Sequence, residues 1–403
     1  MKKLTLLITV LFMVFTISYG QDLQIHGFIS QGAIYSTEYN YIASNSKDFS
    51  FDFQEIGINF QTDVSDRLHL GMQLLARDVG VYGEGRVTID WAYGDYYVND
   101  AFQIAIGRVK NRLGFYTTIQ DFDFLRTWAV LPSSIYDMGL RTVNSTVDGM
   151  QIHGNLGLNQ AGDIDYAVTF GSMKLGKISD IGAYVGQLTN YPIQSGNLKY
   201  NFALNLIYNT PISGLRLNGT YSRIEDFIWD PINLSLDLSN LGLPVYDYTY
   251  QLANDIDWFY TGAQYTFNKF EITGEYNYGV RHMTYTIDGI PDPVLTSVGR
   301  VAVEKNDDKY HGAYLGLSYR AHEKLSLGGY YQYSIKNLDE SKDDPSNKGH
   351  DMALSLAYYP NYNFVIKLEG HFVDGTAPLS VTLNDSFDAD TWMYGVVKVS
   401  YNF

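Results

Sequence analysis

Phe364-Val365-Ile366-Lys367-Leu368-Glu369-Gly370-His371-Phe372 carries two interleaved patterns. Phe364, Ile366, Leu368, Gly370 and Phe372 are apolar or small, whereas Lys367, Glu369 and His371 between them are titratable. Successive side chains of a strand point to opposite faces, so this spacing predicts a strand with one apolar face and one polar face. A second stretch reads the same way: Phe270, Ile272, Gly274, Tyr276 and Tyr278 alternate with Glu271, Thr273, Glu275 and Asn277. Working outward, the alternation recurs in blocks of about ten residues along the chain, and helical periodicity is nearly absent. Sixteen strands are expected, at about 23–35, 49–61, 67–77, 87–99, 101–109, 148–157, 163–171, 197–209, 214–227, 255–267, 269–281, 308–320, 324–338, 347–359, 363–373 and 391–403. The parity changes near Phe53 to Ile56, which predicts a bulge there.

Composition narrows the function classes. The 403 residues include 35 Tyr, 37 Gly and only 10 Pro, an aromatic, strand-forming mixture unlike that of a disordered chain. With 28 basic against 44 acidic residues and a formal charge of −16, and with no basic stripe, nucleic acid is not an expected partner. Zero Cys excludes a disulfide framework, a thiolate metal site and a cysteine nucleophile. At the N-terminus, Lys2 and Lys3 precede an apolar run from Leu4 to Ile17, and Ser18 and Gly20 place small residues before Gln21. That pattern predicts a cleaved secretory signal peptide over residues 1–20, followed by one domain over 21–403 that works outside the cytoplasm.

The connections between the expected strands alternate between short turns, such as Asn99-Asp100 and Asn268-Lys269, and long polar loops. Seven short turns and eight long loops put a trimmed end and an elaborate end on one sheet. The apolar parity carries aromatics near strand ends, among them Tyr208, Phe267, Phe270, Tyr319, Tyr358 and Tyr401, which suits girdles at two lipid interfaces. The polar parity is too charged for the core of a soluble sandwich. The fold class is therefore all-β: a transmembrane antiparallel β-barrel of sixteen strands, closed so that lipid leaves no backbone group unpaired.

The last strand ends on Phe403, which resembles the assembly signal of bacterial outer-membrane proteins, although Lys398 stands where that pattern usually has Gly. The longest connection, Lys110 to Val147, follows the fifth strand, and a Gly107-Arg108 pair precedes Gly114-Phe115-Tyr116. Together with sixteen strands and a signal peptide, these features resemble the Gram-negative general porin family over the whole mature chain. That resemblance implies a passive channel for ions and small hydrophilic solutes in the bacterial outer membrane, surrounded by lipid and lipopolysaccharide and assembled as a homotrimer. It also implies a loop after the fifth strand folded into the lumen, with Arg108 lining the constriction opposite loop carboxylates. The loop-tip motif of the enterobacterial members is absent; the chain reads Phe122-Asp123-Phe124-Leu125-Arg126 instead.

The charges of the polar parity nearly balance: Arg67, Arg77, Arg216, Arg281, Arg320, Lys336, Lys367 and Lys398 against Glu55, Asp90, Asp165, Glu271, Glu275, Asp351 and Glu369. The long loop balances Lys110, Arg112, Arg126 and Arg141 against Asp121, Asp123, Asp137 and Asp148. We expect a pore constriction with opposed charges: Arg77, Arg108, Lys110 and Arg112 on or near the wall, facing Asp121, Asp123 and Asp137. The plainer reading is that these charges pair locally and hold the loop in place. Likewise Phe115, Tyr116, Phe122, Phe124, Trp128 and Tyr136 either pack the loop against the wall or offer a stacking surface for sugars. The acidic loop from Asp374 to Asp390 predicts a mild cation preference that fades as the Debye length shrinks to about 8 Å at physiological ionic strength. The alternatives to a general porin are a substrate-selective porin for a sugar or small organic acid, a barrel enzyme and an adhesin. For the enzyme, the eight His are scattered, with no HExxH pair and no Gly-x-Ser-x-Gly elbow. No cofactor and no metal are implied.

Overall fold

The computed structural model describes residues 23–176, 181, 195–297, 301–380 and 383–403. The expected signal peptide lies outside the described residues. The chain forms β1 (Gln24–Ser36), β2 (Phe53–Ser65), β3 (Leu68–Val79), β4 (Val87–Asn99), β5 (Phe102–Lys110), β6 (Thr146–Gly157), β7 (Asp163–Gly176), β8 (Ser195–Asn209) and β9 (Leu215–Trp229). Then follow β10 (Ile232–Asp237), β11 (Val245–Phe267), β12 (Phe270–Asp288), β13 (Val303–His322), β14 (Leu325–Ile335), β15 (Lys348–Asn361), β16 (Phe364–Asp374) and β17 (Thr391–Asn402). Sixteen of these make a closed antiparallel barrel, each strand pairing with its neighbours in sequence and β1 pairing with β17. Phe403 completes the closure, because its backbone exchanges two 3.0 Å hydrogen bonds with Gly27.

The extra strand, β10, lies beyond the ring and, among the described residues, pairs with the Val245–Tyr250 end of β11. There Ile232, Leu234 and Leu236 alternate over just six residues. β11, β12 and β13 are 23, 19 and 20 residues long, several residues longer at their long-loop ends than the alternation over 255–320 predicts. The overhangs pair with one another, Thr249 with Asp288 and Thr286 with Val303, and so satisfy their own backbone groups.

Burial follows the pleat. In β16, Val365, Lys367, Glu369, His371 and Val373 are buried, while Leu368 and Phe372 are each 48% exposed. On the same outer surface Ile106, Leu315 and Leu354 are more than 60% exposed, which in water would cost every one of these strands its apolar face. The bulge expected at Phe53–Ile56 is absent, because β2 pairs with β1 and β3 without interruption there. Phe53 points inward and is buried, which the interior tolerates because it is packed rather than open at that height.

The packing comes from residues 111–145, between β5 and β6. Leu113, Phe115, Tyr116, Trp128, Leu131, Ile135 and Tyr136 of this segment join inward residues Ile224, Phe227, Trp258, Tyr260, Tyr314 and Tyr330 in one apolar cluster. Gly316 and Gly328 on β13 and β14 face it; a Cβ at Gly316 would overlap the Trp128 ring.

Candidate functional site

The segment 111–145 is tethered at β5 and β6 yet bonds to strands across the ring. Its first anchor is ionic. Asp123 accepts a 2.6 Å hydrogen bond from Ser400, lies 2.9 Å from both Arg126 and Lys398, and lies 3.6 Å from Lys367. Lys398 also contacts Glu55 at 2.8 Å, and Glu55 takes Arg77 at 3.0 Å. Burial alone would push the Asp123 carboxyl up, but Lys398, Lys367 and Arg126 outweigh it and hold the group well below the usual carboxylate range. Beside this cluster the Glu369 carboxylate accepts from the backbone N–H groups of Ala129 and Val130 at 2.7 and 2.8 Å, and Lys367 Nζ donates to the Trp128 carbonyl at 2.7 Å. His371 stands behind Glu369 at 3.0 Å, with its other ring nitrogen 3.0 Å from Asp351.

The second anchor is a carboxylate saturated with neutral donors. Glu275 on β12 accepts from the Phe115 N–H at 2.9 Å, from the Tyr314 hydroxyl at 2.8 Å and from the Tyr136 hydroxyl. Burial, and then Glu275, drive the Tyr136 phenol well above its ordinary value, so it remains a donor throughout the accessible pH range. A third set of bonds joins Ser134 to Gln332 on β14 and to Asn277 on β12. The rings of Tyr116, Tyr314 and Tyr330 meet Trp128 edge-on at centroid distances of 5.3 to 5.9 Å. Phe115, Tyr116, Trp128 and Tyr136 are all buried and thus pack the segment against the wall.

The seven residues expected at one constriction occupy four places. Asp121 does lie with Arg77 around a small cavity of about 50 Å3, and Asp123 reaches Arg77 only through Lys398 and Glu55, but each is bound by a partner of its own: Asp121 accepts from Arg141 at 2.8 Å, and Arg77 is held by Glu55. Asp137 is half-buried in the long-loop half, where it caps a turn by accepting from Gly139 N–H at 2.7 Å. Burial pushes its carboxyl up, against the pull of that N–H and of Lys336. Lys110 and Arg112 line a separate cavity on the β4 to β8 side.

Arg108 is a correction. It shares its parity with the exposed Ile106 and forms a two-pronged pair with Asp148 at 2.7 and 2.9 Å on the outer surface. Its guanidinium reaches the Ile89 carbonyl, not the loop carboxylates. Arg108→Ala is therefore expected to leave conductance and ion preference unchanged in single-channel recordings.

Several residues of these anchors, namely Lys367, Lys398, Glu369 and Glu275, are legible as inward-facing from parity alone. Their partners in the segment are not, because they lie at least 139 residues away in sequence. Among the described residues no cluster of His, Asp and Glu has an arrangement that could hold a metal ion.

No protein-family model and no curated protein matches the chain. Solved structures do. The chain is similar to an outer-membrane-expressed protein, OmpT, of Vibrio cholerae, at 11% identity and a TM-score of 0.55 over 96% of this chain and 99% of that one. It is equally similar to an anion-selective porin from Comamonas acidovorans, at 12% identity and a TM-score of 0.55 over 95% and 100%. OmpF of Salmonella typhi, in complex with daunomycin, matches at 13% identity and a TM-score of 0.54 over 95% and 98%. The fold is that of the outer-membrane porin barrels. Identities this low carry the architecture and leave the activity to be argued from the lumen itself.

Proposed function

We propose that this protein is a passive channel that admits ions and small hydrophilic solutes across the outer membrane of a Gram-negative bacterium, with a lumen narrowed by residues 111–145. The observation that carries the reading is a closed sixteen-stranded ring that exposes apolar side chains such as Ile106, Leu315 and Leu354 on its outside and buries Glu55, Arg77, Glu275, Lys367, Glu369 and Lys398 in its interior. Such a surface is stable only against hydrocarbon, and such an interior only around water or a polar filling. The likeness to porins supports the same reading.

What remains of the interior on either side of the segment is polar enough for water. On the long-loop side a cavity of about 500 Å3 opens among Tyr41, Asn277, Arg281, Asp308 and Lys336. On the other side lies one of about 240 Å3. Passage is then through the gaps between the segment and the wall, and selectivity is set by the groups that border those gaps. The proposal includes assembly as a homotrimer in lipid, which cross-linking of the membrane-embedded protein reads directly.

Refolded protein in a planar bilayer is expected to give ohmic single-channel steps, with a reversal potential in a low-ionic-strength salt gradient that reports mild cation preference. Well-folded protein that never conducts would overturn the reading and make the segment a plug.

A further inference from the structure

The anchors pair four cations of the interior with carboxylates. Arg77 contacts Glu55, Arg126 contacts Asp123, Arg141 contacts Asp90 and Asp121, and Lys398 contacts Glu55 and Asp123. Lys110 and Arg112 are different. In a chain with 44 acidic residues, neither has a carboxylate oxygen within 4.0 Å among the described residues. Lys110 sits 4.5 Å above the Trp91 ring, and among the described residues the hydrogen bond of its ammonium is a long 3.5 Å contact with the Thr118 carbonyl. Both line the cavity of about 240 Å3 between the start of the segment and the β4 to β8 wall. Burial holds the Arg112 guanidinium below its ordinary value, against a distant pull from Tyr93, Asp165 and Asp95.

Two desolvated cations in one cavity repel each other and are stabilised by an anion placed between them. The rest of the lining says which anion. Val109, Phe115 and Ile207 make part of the cavity apolar, and Asp95, bound to His153 at 3.1 Å, also borders it. A second negative charge on the ligand would meet Asp95, whereas an apolar body would meet the Phe115 ring. We propose that this cavity is a binding subsite for the carboxylate of a small monoanionic organic acid, its charge held by Lys110 and Arg112 and its apolar body resting on Val109, Phe115 and Ile207. The subsite makes the channel selective at one point of an otherwise general path, and it rests on the channel reading above.

Benzoate is the probe. In single-channel recordings in potassium chloride, benzoate is expected to block the current in a concentration-dependent way. The half-blocking concentration, measured against each variant's own current, should rise at least about tenfold in Arg112→Gln and further in the Lys110→Gln, Arg112→Gln double variant, as loss of a charge-assisted bond requires. Benzyl alcohol, which keeps the ring and lacks the charge, should not block. Block by inorganic phosphate as strong as that by benzoate, or equal benzoate block in wild type and Arg112→Gln, would overturn the assignment. If no channel opens, the channel reading fails by itself, and calorimetric titration of benzoate into the micellar protein still decides the subsite. Heat that vanishes in Arg112→Gln supports it, and no heat in the wild type overturns it.

Discussion

Asp123→Asn is expected to free the crossing segment from the β15 to β17 side of the wall. The carboxylate is 2% exposed and surrounded by Lys398, Arg126 and, farther off, Lys367. Replacing it by a neutral amide keeps the shape and removes the charge that makes three buried cations tolerable. Breaking a buried ion pair from one side costs about 3–5 kcal/mol, because the remaining charges stay desolvated without compensation. The barrel strands do not depend on this contact, so the loss falls on the segment, and the expected readout is a larger, noisier single-channel conductance in a barrel that still folds. The pH dependence follows from the same cluster. The native carboxyl lies below its unfolded value, so its stabilisation is complete above the unfolded value of about 3.9 and disappears only as pH falls through the lower native one. Wild-type conductance should therefore stay constant as far as Asp123 is concerned between about pH 8 and pH 4 and rise only in stronger acid. In Asp123→Asn the enlarged conductance should already be present at pH 7. Unchanged conductance in the variant across that range would show that the ionic cluster does not hold the segment.

The barrel was legible because one physical rule governs most of it. Lys367, Glu369 and His371 could be assigned to the interior from alternation alone, and the structure buries all three. The rule loses its contrast where the interior is filled by protein instead of water. In Asp255-Ile256-Asp257-Trp258-Phe259-Tyr260 the inward residues Ile256, Trp258 and Tyr260 are buried and apolar, while Phe259 is 48% exposed on the opposite parity. The buried face then reads as apolar, and the opposite parity carries Asp255 and Asp257 beside Phe259. The same filling turned Phe53 inward and removed the expected bulge. Arg108 is a different kind of miss. Ile104, Ile106 and Arg108 share one parity, so strict alternation puts the arginine on the apolar surface, against what the resemblance of its Gly-Arg pair implies. The anchors escaped because pairing across a lumen leaves no local trace: Asp123 and Ser400 are 277 residues apart. What the sequence did carry was the balance of acids and bases in the segment, which local pairing explains better than an open transverse field does.

Trp128→Ala tests whether packing or charge dominates the hold on the segment. The ring is 2% exposed, is contacted edge-on by Tyr116, Tyr314 and Tyr330, and occupies space that Gly316 and Gly328 leave on the wall. Removing a buried Trp costs about 3–5 kcal/mol, the upper part of that range applying where the surroundings cannot collapse. Here the wall is a hydrogen-bonded ring that cannot close in, so a cavity remains and the segment loses its central contact. The expected result is a lower unfolding midpoint in detergent together with larger conductance. Gly316→Val should mimic it from the other side by excluding the ring, in a barrel whose strand pairing is intact. Because Trp128 and Asp123 are only five residues apart on one segment, their effects are coupled. If losing either anchor already releases the stretch from Asp123 to Val130, the double variant should conduct no more than the larger of the two single variants. Full additivity in conductance would mean that two independent parts of the segment narrow the pore. In that case the ionic cluster and the aromatic cluster would each guard a separate path past it.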